Sequence, residues 1–350
     1  MMTLFNKYLI KRSLYFSLSI LFFFGMLDAI FTFIAELENV SDIYNISSIF
    51  KYVIFSIPHN LIDFLEGACL LGVILALGLS HQEGNLNVLR TAGVSPLKIV
   101  FISSIGALVL AIPLMLLDEM TFRKIYLNAS AEKNILSKQI NSEVKDINWI
   151  KSGDSYLSFE DIIEDNIFNA RFIKTENNKI IFTAKSNTAK IHRDKIIFNK
   201  ETSFKNFIND SLQTQSVVFN VPIESRIPFK KVNNLGMRDI ISYRKIFSQS
   251  NLDKDILFNS HLDKVFYKTI LKPISIIALI IYFGSLIFSS LRDSTIGGRI
   301  IVAVTGAFIF RLLQDLSVGI FISYSLPVLI GVIIPIAVLI LLSIFSYKKI

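Results

Sequence analysis

Cysteine occurs once in the 350 residues, at Cys69, so the chain can build neither an internal disulfide framework nor a cysteine-based zinc site. Histidine is nearly as scarce. Its four copies are scattered without an H-x-x-x-H pair and offer no metal centre. Charged residues make up 18% against 52% apolar ones, and mean hydropathy is +0.54. That balance excludes an ordinary soluble protein of this length and indicates an integral membrane protein. There is no G-x-x-x-x-G-K-[ST] phosphate loop, G-x-S-x-G elbow or Ser/His/Asp grouping, so neither ATP hydrolysis nor nucleophilic catalysis is expected of this chain.

What is present is a 3+3 plan. Apolar segments at about 14–34, 60–80, 98–117, 266–288, 298–320 and 325–346 each approach the ~20 residues that a bilayer requires. Between the third and fourth lies a polar insertion rich in Lys, Asn and Ser. Lys7, Lys11, Arg12, Arg90, Lys98, Arg292, Arg299, Lys348 and Lys349 fall on one side of the membrane, and only Lys51 in the short loops of the other. The positive-inside rule then places both termini in the cytoplasm and the insertion outside the inner face. The net charge of +8 is thus a topology signal, and nucleic acid is not an expected partner. The N-terminal basic and apolar run is too long for a secretory signal and is expected to remain as the first span. The domains expected are 1–118 (three spans and a cytoplasmic helix at 82–93), 119–265 (the external domain) and 266–350 (three spans).

Several local signals refine this plan. Residues 43–57 suit an interfacial helix, with Pro58 opening the second span. In that span Ala68, Gly72 and Ala76 form a small-residue stripe for close helix approach. At 82–93, Asn85 is a candidate N-cap, Leu86, Leu89 and Ala92 share one face, Gly93 suits the C′ position, and Ser95-Pro96 reads as N-cap and N1 of the third span. So short a helix is marginal alone, and its apolar face asks either for a partner or for the chain's own bundle. After a helical extension carrying Arg123, Lys124 and Lys133, the period changes to strands. Pairs flank Ser152-Gly153-Asp154, Glu176-Asn177-Asn178 and Arg193-Asp194, and Ser216–Val221 is the last strand, which makes a small antiparallel sandwich or open roll. Residues 235–249 return to helix.

Charges inside spans are functional candidates by default. Asp28 and Arg311 lie at similar depths, about 20 Å from the inner ends of their spans at 1.5 Å per residue. They bridge to one another, or Arg311 pairs with Asp315, or a vestibule lined by Asp28, Asp63, Glu66, Arg311, Gln314 and Asp315 holds the charged head of an amphiphile. On the sequence that set is more acidic than basic.

The order and spacing of several motifs resemble the LptF/LptG permease family over essentially the whole chain. They are Leu70 to Leu79 followed by Gln82 to Val94, then Asn148-Trp149-Ile150-Lys151-Ser152-Gly153-Asp154, Leu291-Arg292-Asp293 to Gly297-Gly298-Arg299, and Ser323-Tyr324-Ser325-Leu326-Pro327. The last two stand nearer the LptG branch than LptF. The resemblance implies six transmembrane helices with an inserted jellyroll-like periplasmic domain, its core at about 141–230, in the bacterial inner membrane. It implies a heterodimer with an LptF-like permease, an LptB-like ATPase dimer that binds the ATP and Mg, and LptC-like and LptA-like jellyroll partners. No cofactor is then expected in this chain. Lipopolysaccharide would be taken from the outer leaflet and passed to a periplasmic bridge. The implied ATPase contacts are Glu83, Asn85, Leu86, Leu89, Arg90 and Gly93, with Asn85 where the family commonly has Glu. The implied ligand or gate residues are Asp28, Thr32, Arg123, Lys124, Lys133, Arg311 and Asp315, with Thr32, Glu38 and Asn39 where LptG relatives tend to carry Lys. Two rivals remain at this point: a membrane scaffold or sensor whose external domain binds a partner without transport, and a lipid-modifying transferase using Asp63 or Glu66.

Overall fold

The computed structural model describes residues 4–41, 44–138, 148–152, 154–163, 166–176, 179–192, 195–199, 202–206, 216–219, 235–249, 256–288 and 296–349. The turns at 177–178 and 193–194, Gly153 and the loop at 289–295 lie outside them. Among the described residues six helices are long and apolar enough to cross a membrane, and a separate antiparallel sheet is inserted between the third and fourth. The chain is a helical membrane protein with an inserted β domain.

Two compact units result. The first comprises residues 1–32, 54–124 and 235–350, the second 33–53 and 125–234. The helices of the first unit are α1 (Leu4–Leu37), α2 (Ile46–Gln82), α3 (Asn85–Thr91), α4 (Pro96–Leu117), α6 (Met237–Gln249), α7 (Ile256–Phe288), α8 (Ile296–Ser323) and α9 (Val328–Lys348), with α1 and α2 each running on into the second unit. A π-turn at Asp118–Phe122 joins α4 to α5 (Arg123–Lys138).

The separate interfacial helix expected at 43–57 does not form. Residues 46–82 are one helix with Pro58 inside it. Proline removes only its own N–H from the ladder, and a membrane helix tolerates that loss when neighbours pack around it.

The spans are unequally covered. About half or more of the apolar window is buried in α2, α4 and α7, but only 11% in α1 and 17% in α8. Within this chain the first and fifth spans are therefore peripheral. Helix α1 is held by close approach at small residues. A Cβ on Gly72 would collide with the Ser17 backbone, and one on Gly106 with the Ile10 carbonyl oxygen. In the small-residue stripe Ala68, Ala76 and Gly72 thus face packed helix, as van der Waals association between membrane helices requires.

Helix α3 departs from its expected start. Gly84, in the left-handed region at φ 77°, holds the N-cap position and Asn85 is the first helical residue. Its end is as expected. Gly93 at φ 82° is C′, with Gly93 N–H donating to the Arg90 carbonyl and Val94 N–H to that of Leu89, both at 3.0 Å. This is a Schellman motif. Gly93→Ala forces an L side chain into positive φ and is expected to cost ~1 kcal/mol, read as faster hydrogen exchange at the Val94 amide. Ser95 and Pro96 stand at N-cap and N1 of α4, although the Ser95 hydroxyl makes no capping bond.

The second unit contains one sheet of β1 (Asn148–Ser152), β2 (Ser155–Phe159), β3 (Asp161–Ile163), β4 (Asn166–Glu176), β5 (Lys179–His192), β6 (Lys195–Phe198), β7 (Ser203–Asn206) and β8 (Ser216–Val218). The order is β1-β2-β4-β5-β6-β8, with β3 also beside β4 and β7 also beside β5. The two long strands β4 and β5 form its spine. Leu157, Phe172, Ala184, Ile191, Ile196 and Phe198 are among the buried residues of its apolar face. Alternation breaks at Asn169, which takes φ 51°, so Ile167 and Phe172 are both buried although their parities differ. Asparagine tolerates this backbone where a β-branched residue would not. Sequence periodicity finds six of the eight strands among the described residues, with the two expected at 179–185 and 188–192 joined as β5. β3 (Asp161–Ile163) and β7 (Ser203–Asn206) are the two strands that the sequence reading leaves out.

Candidate functional site

Three helices of the bundle each present a pair of charged residues at helical spacing. These are Asp63 and Glu66 on α2, Lys268 and Lys272 on α7, and Arg311 and Asp315 on α8. Two lysines at i,i+4 repel along one helix face, and an ionised group within a span is costly unless paired. Both problems are met across helices. Arg311 Nη1 donates to the Asp63 carbonyl at 2.7 Å, with Nη2 3.7 Å from the Asp63 carboxylate. Lys268 pairs with Asp315. The partly buried Lys272 donates to the Ile62 carbonyl at 3.0 Å. Glu66 lies within electrostatic reach of Lys272, Arg311, Lys268 and Asp63.

Neither pairing suggested by the sequence forms. Arg311 reaches α2 rather than Asp315, and Asp28 accepts from Asn60 Nδ2 at 2.8 Å. A further correction concerns charge balance. With Lys268 and Lys272 the cluster holds three cations and three carboxylates, so it is not predominantly acidic. The signal was present in the sequence, since two lysines four apart sit in the first turns of the fourth span. Gln314 is buried. Arg311 and Asp63 are about half exposed or more, at 52% and 68%, and are open to a ligand. On another face of α8, an apolar cavity of about 950 Å³ lies between α7, α8 and α9, lined by Phe283, Phe310, Phe321, Pro335 and others.

The remaining ligand candidates are scattered. Thr32 is partly buried on α1, one turn beyond Asp28. Arg123 is committed within the bundle. It donates to Asp118 Oδ2 at 3.1 Å and to the Leu235 carbonyl, while Asp118 also meets His59 Nδ1 at 2.7 Å. Lys124 follows it on α5. In the second unit Lys133 pairs with Glu36 and lies 4.7 Å from the Tyr52 ring centroid. Burial, with Glu36 beside it, pushes the Tyr44 hydroxyl above its ordinary value.

Beside the first turns of α1, α3 follows the α2 turn. Of the apolar face read from its periodicity, Leu86 and Leu89 turn inward, whereas Ala92 is exposed. Leu86 is fully buried, and Leu89 packs against the same core. Val88, outside that face, is 65% exposed. Arg90 is exposed too, its guanidinium 5.9 Å from the Phe288 ring centroid. Glu83 receives a bidentate pair from Arg12, at 2.6 Å from Nη2 to Oε1 and 2.5 Å from Nη1 to Oε2. Asn85 Nδ2 adds a third donor at 2.9 Å. The Arg12 hydrogen bonds, foremost, hold the Glu83 carboxyl below the usual range. Gly93 serves the turn geometry described above.

The family model described as lipopolysaccharide export system permease LptF/LptG matches residues 7–349. The chain belongs to the LptF/LptG permease family. Among curated relatives it is similar to the lipopolysaccharide export system permease protein LptG of Haemophilus influenzae, at 22% identity over 88% of each chain. It is likewise similar to the LptG protein of Escherichia coli K12, at 22% identity over 94% of this chain and 93% of that one. The LptF/LptG match runs across both units, so the bundle and the inserted sheet together correspond to one family architecture.

Proposed function

We propose that this chain is the transmembrane permease subunit of an ATP-driven lipopolysaccharide exporter. In this reading both termini are cytoplasmic and the sheet is periplasmic. The lipid leaves the outer leaflet of the inner membrane past the three-helix charge cluster and passes to a periplasmic β bridge. A second, LptF-like permease completes the membrane pore, an ATPase dimer acts from the cytoplasm at α3, and LptC-like and LptA-like proteins continue the path. The lack of a phosphate loop in this sequence supports ATP and Mg binding by the separate subunit.

The observation that carries the reading is the cluster itself. It gathers six charged side chains on adjacent spans, with Arg311 half exposed, while an apolar cavity lies on another face of the same helix α8. A guanidinium fork suits phosphate oxygens, and the apolar lining suits acyl chains. An amphiphile with an anionic head and hydrocarbon tails matches both.

The test is purification of the full chain with its candidate ATPase and second permease, then delivery of lipopolysaccharide from proteoliposomes with and without ATP. Val88→Glu puts a charge on the exposed face of α3 without touching its buried side. It is expected to weaken ATPase co-purification about tenfold or more, as for a residue central to an interface. ATP-independent delivery together with unchanged ATPase retention in Val88→Glu would instead favour the scaffold reading.

A further inference from the structure

The two spans with least cover inside this chain, α1 and α8, are both fastened by arginines to one short stretch, residues 78–83, immediately before α3. From α1, Arg12 grips Glu83 with both nitrogens of its fork, and Tyr8 adds its hydroxyl to the same carboxylate at 3.2 Å. From α8, Arg299 is only 2% exposed and its Nη1 donates to the Gly78 carbonyl at 2.7 Å. Glycine at 78 leaves the room this needs. A Cβ there would stand 2.7 Å from Arg299 Nη1 and 3.1 Å from its Cδ. The Gly78 carbonyl lies near the C-terminal end of α2, where the helix dipole favours a cation.

We infer that Arg12 and Arg299 are positioning residues, two guanidinium tethers that make α1 and α8 follow any displacement of the α2–α3 turn. The inference rests on the reading of α3 as the surface on which an ATPase acts. Its physical basis is separate from that reading. Little of either span is buried within the chain, so a buried or bidentate charged hydrogen bond is a stiff link from each to this turn. A lysine in either place keeps the charge and loses the fork, which makes it a graded variant rather than a deletion.

The test uses spin labels on the full chain in lipid nanodiscs. Cysteines introduced at the exposed positions Val88 and Tyr15 report the distance between α3 and α1, and at Val88 and Ile301 that between α3 and α8. Native Cys69 is fully buried and takes no label. Arg12→Ala is expected to lose the narrow α3–α1 distribution and leave α3–α8 intact, with partial return in Arg12→Lys and in the exchange of Arg12→Glu with Glu83→Arg. Arg299→Ala and Gly78→Ala are expected to broaden only the α3–α8 pair. In the assembled complex each alanine variant is expected to release about tenfold less lipid per ATP hydrolysed, the usual size of a site-to-site coupling. Unchanged distributions, or broadening of both pairs by either substitution alone, overturn the tethers. If the wild-type chain binds no ATPase, the reading of α3 falls while the label distances still decide the tethers.

Discussion

Arg311→Ala is expected to weaken lipopolysaccharide binding to the full chain in nanodiscs by about tenfold to a hundredfold, the range that one charge-assisted hydrogen bond of ~1.5–3 kcal/mol represents. Two effects act in the same direction. The substitution removes the half-exposed fork on α8. It also leaves Asp63, Glu66 and Asp315 facing only Lys268 and Lys272, so the cluster turns net negative against an anionic head. Arg311→Lys keeps the charge without the bidentate geometry and is expected to lie between. Asp315→Asn releases Lys268 from its partner and is expected to tighten binding. A dephosphorylated lipid serves as the control, since it should be indifferent to all three variants. Binding that is unmoved by Arg311→Ala, or moved the same way by Arg311→Ala and Asp315→Asn, would remove the cluster from the lipid path.

Gly72→Ala carries the second large effect, on stability. The added Cβ would meet the nitrogen and Cα of Ser17, which are backbone atoms without a rotamer to change. Helices α1 and α2 must separate, at ~1–3 kcal/mol for overpacking, and α1 has little other cover. Gly67 lies on the same helix with nothing within 4 Å of its Cβ position. Gly67→Ala is therefore expected to be neutral or mildly stabilising, because alanine is the better helix former. Thermal unfolding of the two variants in the same detergent distinguishes them. Equal midpoints would mean that the contact of α1 at Ser17 contributes nothing to the bundle.

Much of this architecture was legible in residue order because the bilayer acts on single segments. Twenty apolar residues satisfy their own backbone as a helix whatever surrounds them, so the six spans appear in hydropathy alone. Turn residues and period-two alternation likewise mark the longer strands. Gly93, followed by Ser95-Pro96, marks the end of α3 because positive φ and a missing N–H are properties of one residue at a time.

The chemistry of the candidate site depended on neighbours that no local pattern names. The i,i+4 spacing of Arg311 and Asp315 suggested a pair within α8, yet each reaches another helix, since Asp63 and Lys268 stand opposite them. Lys272 carries no local sign of its partner, the Ile62 carbonyl of α2. The Leu86/Leu89 face was visible as apolar, but only packing decided that it turns inward and leaves Val88 outside. The sequence by itself determined the six spans and the longer strands, through energies that each segment settles alone. Tertiary structure decided which charges meet and which face of α3 is free, because those follow from the side chains that neighbouring helices bring within reach.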